Sequence, residues 1–210
     1  MKKKILVLGA TGLVGKEVAK QLNVGGYNVV VMSRSREKAK EIFSEDFEII
    51  EADLQNEELI KHSFTGINGV FISLPEQTVP EVINNIVKLC KQSNVQQIVY
   101  TSGCTVREEN AWHPMIKGHY EAEKAIKESG VPYTILGLTM IMDTIPAYAN
   151  NGKPFILGKQ NFGWSWIHTS DIAKMTTRSF FNTTAFNKKF TIWGKENLTI
   201  AKAVQEFNIA

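Results

Sequence analysis

Three groups of residues in this chain have types and spacings that could do chemistry. Gly9-Ala10-Thr11-Gly12-Leu13-Val14-Gly15 follows directly on the apolar run Ile5-Leu6-Val7-Leu8. Such a turn can receive a diphosphate. Gly9 permits the bend, Gly12 lets an anion approach the backbone, and Gly15 lets the next helix pack against the strand. The N–H groups around Thr11, Leu13 and Val14 and the positive end of the helix dipole would then hold the anion. In Met32-Ser33-Arg34-Ser35-Arg36, Arg34 offers a planar, charged donor fork, with Ser33 and Arg36 beside it. Tyr120-Glu121-Ala122-Glu123-Lys124 spells Tyr-x-x-x-Lys. In that pair a lysine lowers the tyrosine pKa and the tyrosine exchanges a proton with a substrate oxygen. His119 stands next to it.

The elements that must position these groups alternate. Residues 5–8, 29–32, 47–50, 70–72, 98–100 and 133–136 read as buried strands. Residues 12–22, 37–43, 79–90 and 114–129 read as helices between them, the first with Val14, Val18 and Leu22 on one stripe. This order predicts an α/β fold, a Rossmann-type doubly wound parallel sheet with a small C-terminal cap. Ligands in such sheets bind beyond the carboxyl ends of the strands. Asp53-Leu54, Ser73-Leu74 and Thr101-Ser102-Gly103 fall there. After residue 140 the pattern loosens around Pro146, Gly152, Pro154, Gly158 and Gly163. A helix over 169–181, a strand over 190–193 and a helix over 199–207 follow. Residues 1–210 read as a single domain, with 141–210 contributing a small substrate-side cap. Asp171 is expected to cap the 169–181 helix.

Of the 210 residues, 43% are hydrophobic and 21% charged, which excludes a disordered chain or a fibre. The net charge of +3 comes from scattered lysines, so no nucleic-acid partner is expected. Cys90 and Cys104 have no metal-ligand spacing, so no metal site is expected, and they read as reduced thiols of a cytoplasmic protein. Gly9, Thr11 and Gly12 break the first apolar run short of a signal peptide, and no run reaches the ~20 residues of a membrane span.

The spacing Gly-x-x-Gly-x-x-Gly after Ile5-Leu6-Val7-Leu8 resembles the short-chain dehydrogenase/reductase superfamily, in its atypical, NmrA-like branch. Lys127-Glu128-Ser129-Gly130-Val131-Pro132-Tyr133-Thr134-Ile135-Leu136 and Ile167-His168-Thr169-Ser170-Asp171-Ile172-Ala173 extend the likeness. Short flavin reductase-like and biliverdin reductase B-like proteins are also similar. The resemblance implies NAD(P) binding, with Asp53 near the adenine, and with Ser73, Leu74, Thr101, Ser102 and Gly103 near the ribose and nicotinamide. The second strand ends without the carboxylate that would favour NAD, and Arg34 can face a 2′-phosphate. NADP(H) is therefore the preferred cofactor, with NAD(H) as the alternative.

Register against the family moves its tyrosine position to Met115, its lysine position to His119 and its serine position to Gly103. Helix geometry agrees. Met115, His119, Ala122 and Ile126 share a face, and Tyr120 lies about 140° from Met115. Tyr120 and Lys124 thus read as an outer-face pair, kept as the alternative catalytic pair. His119 could hold the nicotinamide end, donate a proton, or simply pack. The family's arginine-proline after the sixth strand is replaced by Gly137-Leu138. Phe162, Trp164, Trp166, Met140 and Met142 read either as an acceptor pocket or as cap core.

The leading expectation is an NADPH-dependent reductase of a planar small-molecule acceptor, a quinone, flavin or dye, whose proton can come from solvent. The alternative is a non-catalytic NAD(P)(H) redox sensor that binds a regulatory protein. A nucleotide-sugar epimerase would need Tyr120 in the cleft. A homodimer is a further expectation.

Overall fold

The computed structural model describes residues 2–75, 79–150, 153–154 and 160–209. Gly152 and Gly158 lie outside them. The first half alternates strand and helix: β1 (Lys4–Leu8), α1 (Leu13–Val24), β2 (Asn28–Ser33), α2 (Arg36–Ile42), β3 (Glu48–Glu51), α3 (Glu57–Lys61), β4 (Gly69–Ile72), α4 (Val79–Gln92), β5 (Gln97–Gly103), α5 (Pro114–Glu128) and β6 (Tyr133–Leu138). Then come β7 (Met140–Ile141), β8 (Ala149–Asn150), β9 (Lys153–Pro154), β10 (Trp164–Ile167), α6 (Thr169–Ser179), β11 (Lys188–Ile192), β12 (Asn197–Leu198) and α7 (Ile200–Ile209). Short α3 and the pairing segment β10 are absent from the sequence reading. Among the described residues no helix is long and apolar enough to cross a membrane.

Seven strands form one parallel sheet in the order β11-β6-β5-β4-β1-β2-β3. The central strands carry unbroken apolar runs, over 5–8, 70–72 and 98–100, because both faces are covered. Alternate side chains divide between two cores. Leu6, Leu8, Val70, Ile72, Ile98 and Tyr100 face α4 and α5. Ile5, Val7, Val29, Val31, Phe71 and Val99 face α1 and α6. The strand order reverses at β1, so a crevice opens between the carboxyl ends of β1 and β4, where a doubly wound sheet binds its ligand.

The tail differs from the expected cap. Among the described residues β7, β10, β12 and α7, with the helical turns of 142–148, form a separate small layer, with Ile145, Trp166, Ala203 and Val204 as its core. α6 instead packs on α1, and β11 extends the main sheet beside β6. The buried stripe of α6 is Thr169, Ile172, Ala173, Thr176 and Ser179, mostly small residues that let two helices approach. With three hydroxyl residues among the five, the stripe gives little apolar periodicity to read.

Candidate functional site at the carboxyl edge of the sheet

The glycine turn lies at that crevice. Gly9 has φ +81, and a Cβ there would stand 1.9 Å from the carbonyl oxygen of Ser73, at the exit of β4. A Cβ on Gly15 would lie 2.1 Å from Gly9 O. Both positions are closed to any side chain. Gly12 is different: it is exposed, and among the described residues its Cβ would meet only Gly9 O, at 3.2 Å. Gly12 is also the N-cap of α1, and no side chain caps that helix. The first-turn N–H groups, which have no acceptor inside a helix, therefore open onto the crevice. Leu13 is exposed, whereas Val14 is core and offers only its backbone; Thr11 is half-buried.

Arg34 is exposed at the end of β2 and has no ion pair among the described residues. Arg36 is turned away, its Nε 3.9 Å from Glu51 Oε2. Ser33 is buried and its hydroxyl bridges Ser35 O and Ser35 N–H. Asp53 is exposed and accepts from the N–H of Gln55, so its carboxylate closes its own turn. Asn56, not Asp53, caps α3. Leu54 and Leu74 are half-buried and lean on the α4–α5 core, and Ser73 is half-buried beside Gly9.

The hydroxyls expected to line the nicotinamide side turn inward. Thr101 Oγ1 donates to Ile72 O at 3.2 Å, and Ser102 Oγ donates to Glu123 Oε1 at 2.6 Å. What β5 presents to the crevice there is backbone, ending at half-buried Gly103. Glu123 is 2% exposed, and it also receives Lys189 Nζ at 2.6 Å and Lys127 Nζ at 3.1 Å. Sequence reasoning missed this carboxylate, because an acid four residues before a lysine on a charged helix looks like solvated surface.

Tyr100 and Ser102 sit two apart on β5, and His119 and Glu123 four apart on α5, so the two pairs meet across one interface. Tyr100 is fully buried, and its hydroxyl lies 2.5 Å from His119 Nδ1. Burial, and then the Glu123 carboxylate, push that hydroxyl well above the ordinary phenol range, so it stays protonated. Which of the two atoms donates follows the imidazole tautomer. Met115 is half exposed, while Ala122 and Ile126 belong to the core. Tyr120 is half-buried, Lys124 is exposed, and no hydrogen bond or ion pair joins them.

The aromatic group of the tail divides. Trp166 and Met140 are cap core, with Trp166 Nε1 donating to Leu198 O. Phe162 and Trp164 are partly exposed and pack edge to face on each other, and Met142 is also partly exposed. At α6, His168 and not Asp171 is the N-cap, its Nδ1 accepting from Ser170 N–H at 3.1 Å. Asp171 pairs with Lys174. Asp143 accepts from both the N–H and the hydroxyl of Thr169.

The model of a family described as NAD(P)H-binding matches residues 9–183, from the glycine turn to beyond α6. The chain belongs to this NAD(P)H-binding family. It is 27% identical over 207 residues to the photosystem II assembly factor Ycf39 of Trieres chinensis, covering 91% of this chain and 64% of that protein. It is 23% identical over 216 residues to the NAD(P)H azoreductase of Xenophilus azovorans, covering 98% of this chain and 73% of that protein. The solved NADPH-dependent quinone oxidoreductase of Escherichia coli, complexed with NADPH, superposes with a TM-score of 0.80 at 22% identity, over 97% of this chain and 75% of that one. The chain thus spans about two thirds to three quarters of the length of these relatives. The fold and the family agree with the NmrA-like resemblance read from the glycine turn.

Proposed function

We propose that this member of the NAD(P)H-binding family is an NADPH-dependent reductase of a planar acceptor such as a quinone, flavin or dye. The observation that carries the reading is the pairing of an open diphosphate turn with a β5–α5 face that holds His119 at the family's lysine position and Met115 at its tyrosine position. The residues present fit the cofactor. The uncapped α1 terminus and Gly12 would hold the diphosphate, Arg34 would face a 2′-phosphate, and Asp53, Leu54, Ser73 and Leu74 would flank the adenosine side. The backbone of Thr101, Ser102 and Gly103 would border the nicotinamide. When bound, NADPH supplies a hydride. Its transfer to a quinone needs only one further proton, which solvent or His119 can provide, so no Tyr120–Lys124 acid is required. The azoreductase relative supports a reductase of this kind, and the reading places the protein in the cytoplasm. The test is a fluorescence titration with NADPH and with NADH, followed by NADPH oxidation with a panel of quinones, flavins and azo dyes. Tight NADPH binding, weaker NADH binding and turnover with one planar class are expected. Binding without turnover on any of them overturns the reading.

The relatives named as assembly factors favour a second reading, in which the cofactor-loaded chain is a non-catalytic sensor that docks on a protein. It predicts tight NADPH binding, no turnover, and a partner whose affinity changes between NADPH and NADP.

A further inference from the structure

Lys189 starts on the edge strand β11, yet its amino group ends beside α5. Its register partner on β6 is Ile135; Gly137, two residues nearer the carboxyl edge, pairs with Thr191. A Cβ on Gly137 would lie 3.3 Å from Lys189 Cε and 3.4 Å from Gly103 O. The lysine side chain therefore crosses β6 where β6 has no side chain. Past that crossing, Nζ donates to Glu123 Oε1 at 2.6 Å and to Val106 O at 2.9 Å. The N–H of Val106 bonds back to Gly103 O at 3.2 Å, closing the turn by which the chain leaves β5. One ammonium group thus joins β11, α5 and the β5 exit turn.

We propose that Lys189 is a positioning residue for the acceptor side of the cleft, holding the Gly103–Val106 turn in place through Val106 O and Glu123. The inference rests on the reductase reading of that cleft. Lys127 also pairs with Glu123, but it extends from the next turn of α5 and makes no bond to the exit turn. Among the described residues only Lys189 has donors on both the carboxylate and the turn. A charged donor shared by a buried carboxylate and a backbone carbonyl fixes geometry more than it adds stability, because desolvation opposes the attraction.

Lys189→Met keeps most of the stem and removes the charge. Cys104 lies half-buried in the exit turn, while Cys90 is fully buried, so thiol labelling reports on the turn. In Lys189→Met, Cys104 labelling should accelerate on the order of tenfold, as expected for loss of a charged hydrogen bond. The KM for a 1,4-naphthoquinone should rise by a similar factor, with the Kd for NADPH unchanged. Lys189→Arg should restore most of both. Gly137→Val should block the crossing and act like Lys189→Met, and the double variant should be no worse than the more severe single one. A lowered thermal midpoint with unchanged labelling, or additive effects of the two substitutions, overturns the brace. If Gly137→Val does not fold, the Met and Arg variants decide by labelling alone. If the wild-type protein oxidises no NADPH with any quinone, the reductase reading falls, and the labelling still decides whether Lys189 holds the turn.

Discussion

The hydroxyl of Tyr100 on β5 meets Nδ1 of His119 on α5 at 2.5 Å, while the next residue, Tyr120, shares no bond with Lys124. Adjacent positions on a helix are about 100° apart, so one step in register separates the sheet-facing side chain from the outward one. Tyr120→Phe and Lys124→Ala should each keep kcat/KM for NADPH-dependent quinone reduction within about twofold, as for surface changes generally. His119→Ala should lower it about tenfold or more. A large loss in Tyr120→Phe alone would restore the epimerase-type acid to consideration.

The glycine turn separates folding from binding. Gly9→Ala places a methyl group 1.9 Å from Ser73 O at a positive φ. It should destabilise the fold by roughly 3 kcal/mol or more. Gly12→Ala meets only Gly9 O at 3.2 Å. It should change stability by about 1 kcal/mol or less, yet raise the Kd for NADPH about tenfold, because the methyl group stands where the anion approaches. Chemical denaturation paired with titration separates the two effects, and equal stability losses would contradict the reading.

Cofactor preference should reside in Arg34. Losing a charged hydrogen bond to a phosphate should raise the Kd for NADPH about ten- to hundredfold in Arg34→Ala, with NADH binding nearly unchanged. Arg36→Ala should have a smaller effect, since its guanidinium is turned toward Glu51. Equal losses for both dinucleotides in Arg34→Ala would show that this arginine does not read the 2′-phosphate.

Glu123 is held by three donors in a buried setting. Glu123→Ala leaves the Ser102 hydroxyl without its acceptor and the Lys189 ammonium without its charged partner, with Val106 O still accepting from it. It should cost about 3 kcal/mol of unfolding free energy, as for a broken buried ion pair. Glu123→Leu should cost less when combined with Lys189→Met than the sum of the two single changes.

Acid should loosen the α6 terminus. Burial raises the Asp143 carboxyl, but the hydrogen bonds from Thr169, then the nearby His168, outweigh it and hold the pKa below its ordinary value. A group lowered on folding adds stability that is complete above its unfolded pKa, about 3.9. That stability is lost as pH falls through the lower, folded value. Asp143→Asn should be less stable at pH 7 by about 1 kcal/mol, and the difference from wild type should shrink below about pH 4. A gap that persists at pH 2 would rule out this carboxylate as the cause.

The sheet was legible because its central strands are apolar on both faces, and the diphosphate turn because its glycines sit between a strand and a helix. The exposure of Arg34 at the end of β2 was legible from its place after an apolar strand. The Glu123 network was not. Its members come from β5, α5 and β11, and its reach depends on the missing side chain of Gly137 in a fourth element, β6. Such a constellation has no local pattern. The helix over 169–181 was legible, but not that it packs on α1, because three of its five buried residues are threonine or serine. Likewise Ser102 and Thr101 were placed at the right edge, but the direction of their hydroxyls depends on which partner lies across the sheet.

The packing of α6 on α1 also has a consequence for how the molecule forms. The helix that follows the glycine turn buries its outer flank against a segment from the last quarter of the chain; a Cβ on Gly25, at the end of that helix, would lie 3.0 Å from Thr177 Cγ2. This is a contact of long sequence separation, which is slow to close and late to contribute. On a ribosome, β1, the glycine turn and α1 are made well before α6 and remain half-covered until it emerges. The cofactor turn therefore waits for a segment about 150 residues downstream before its supporting helix is covered.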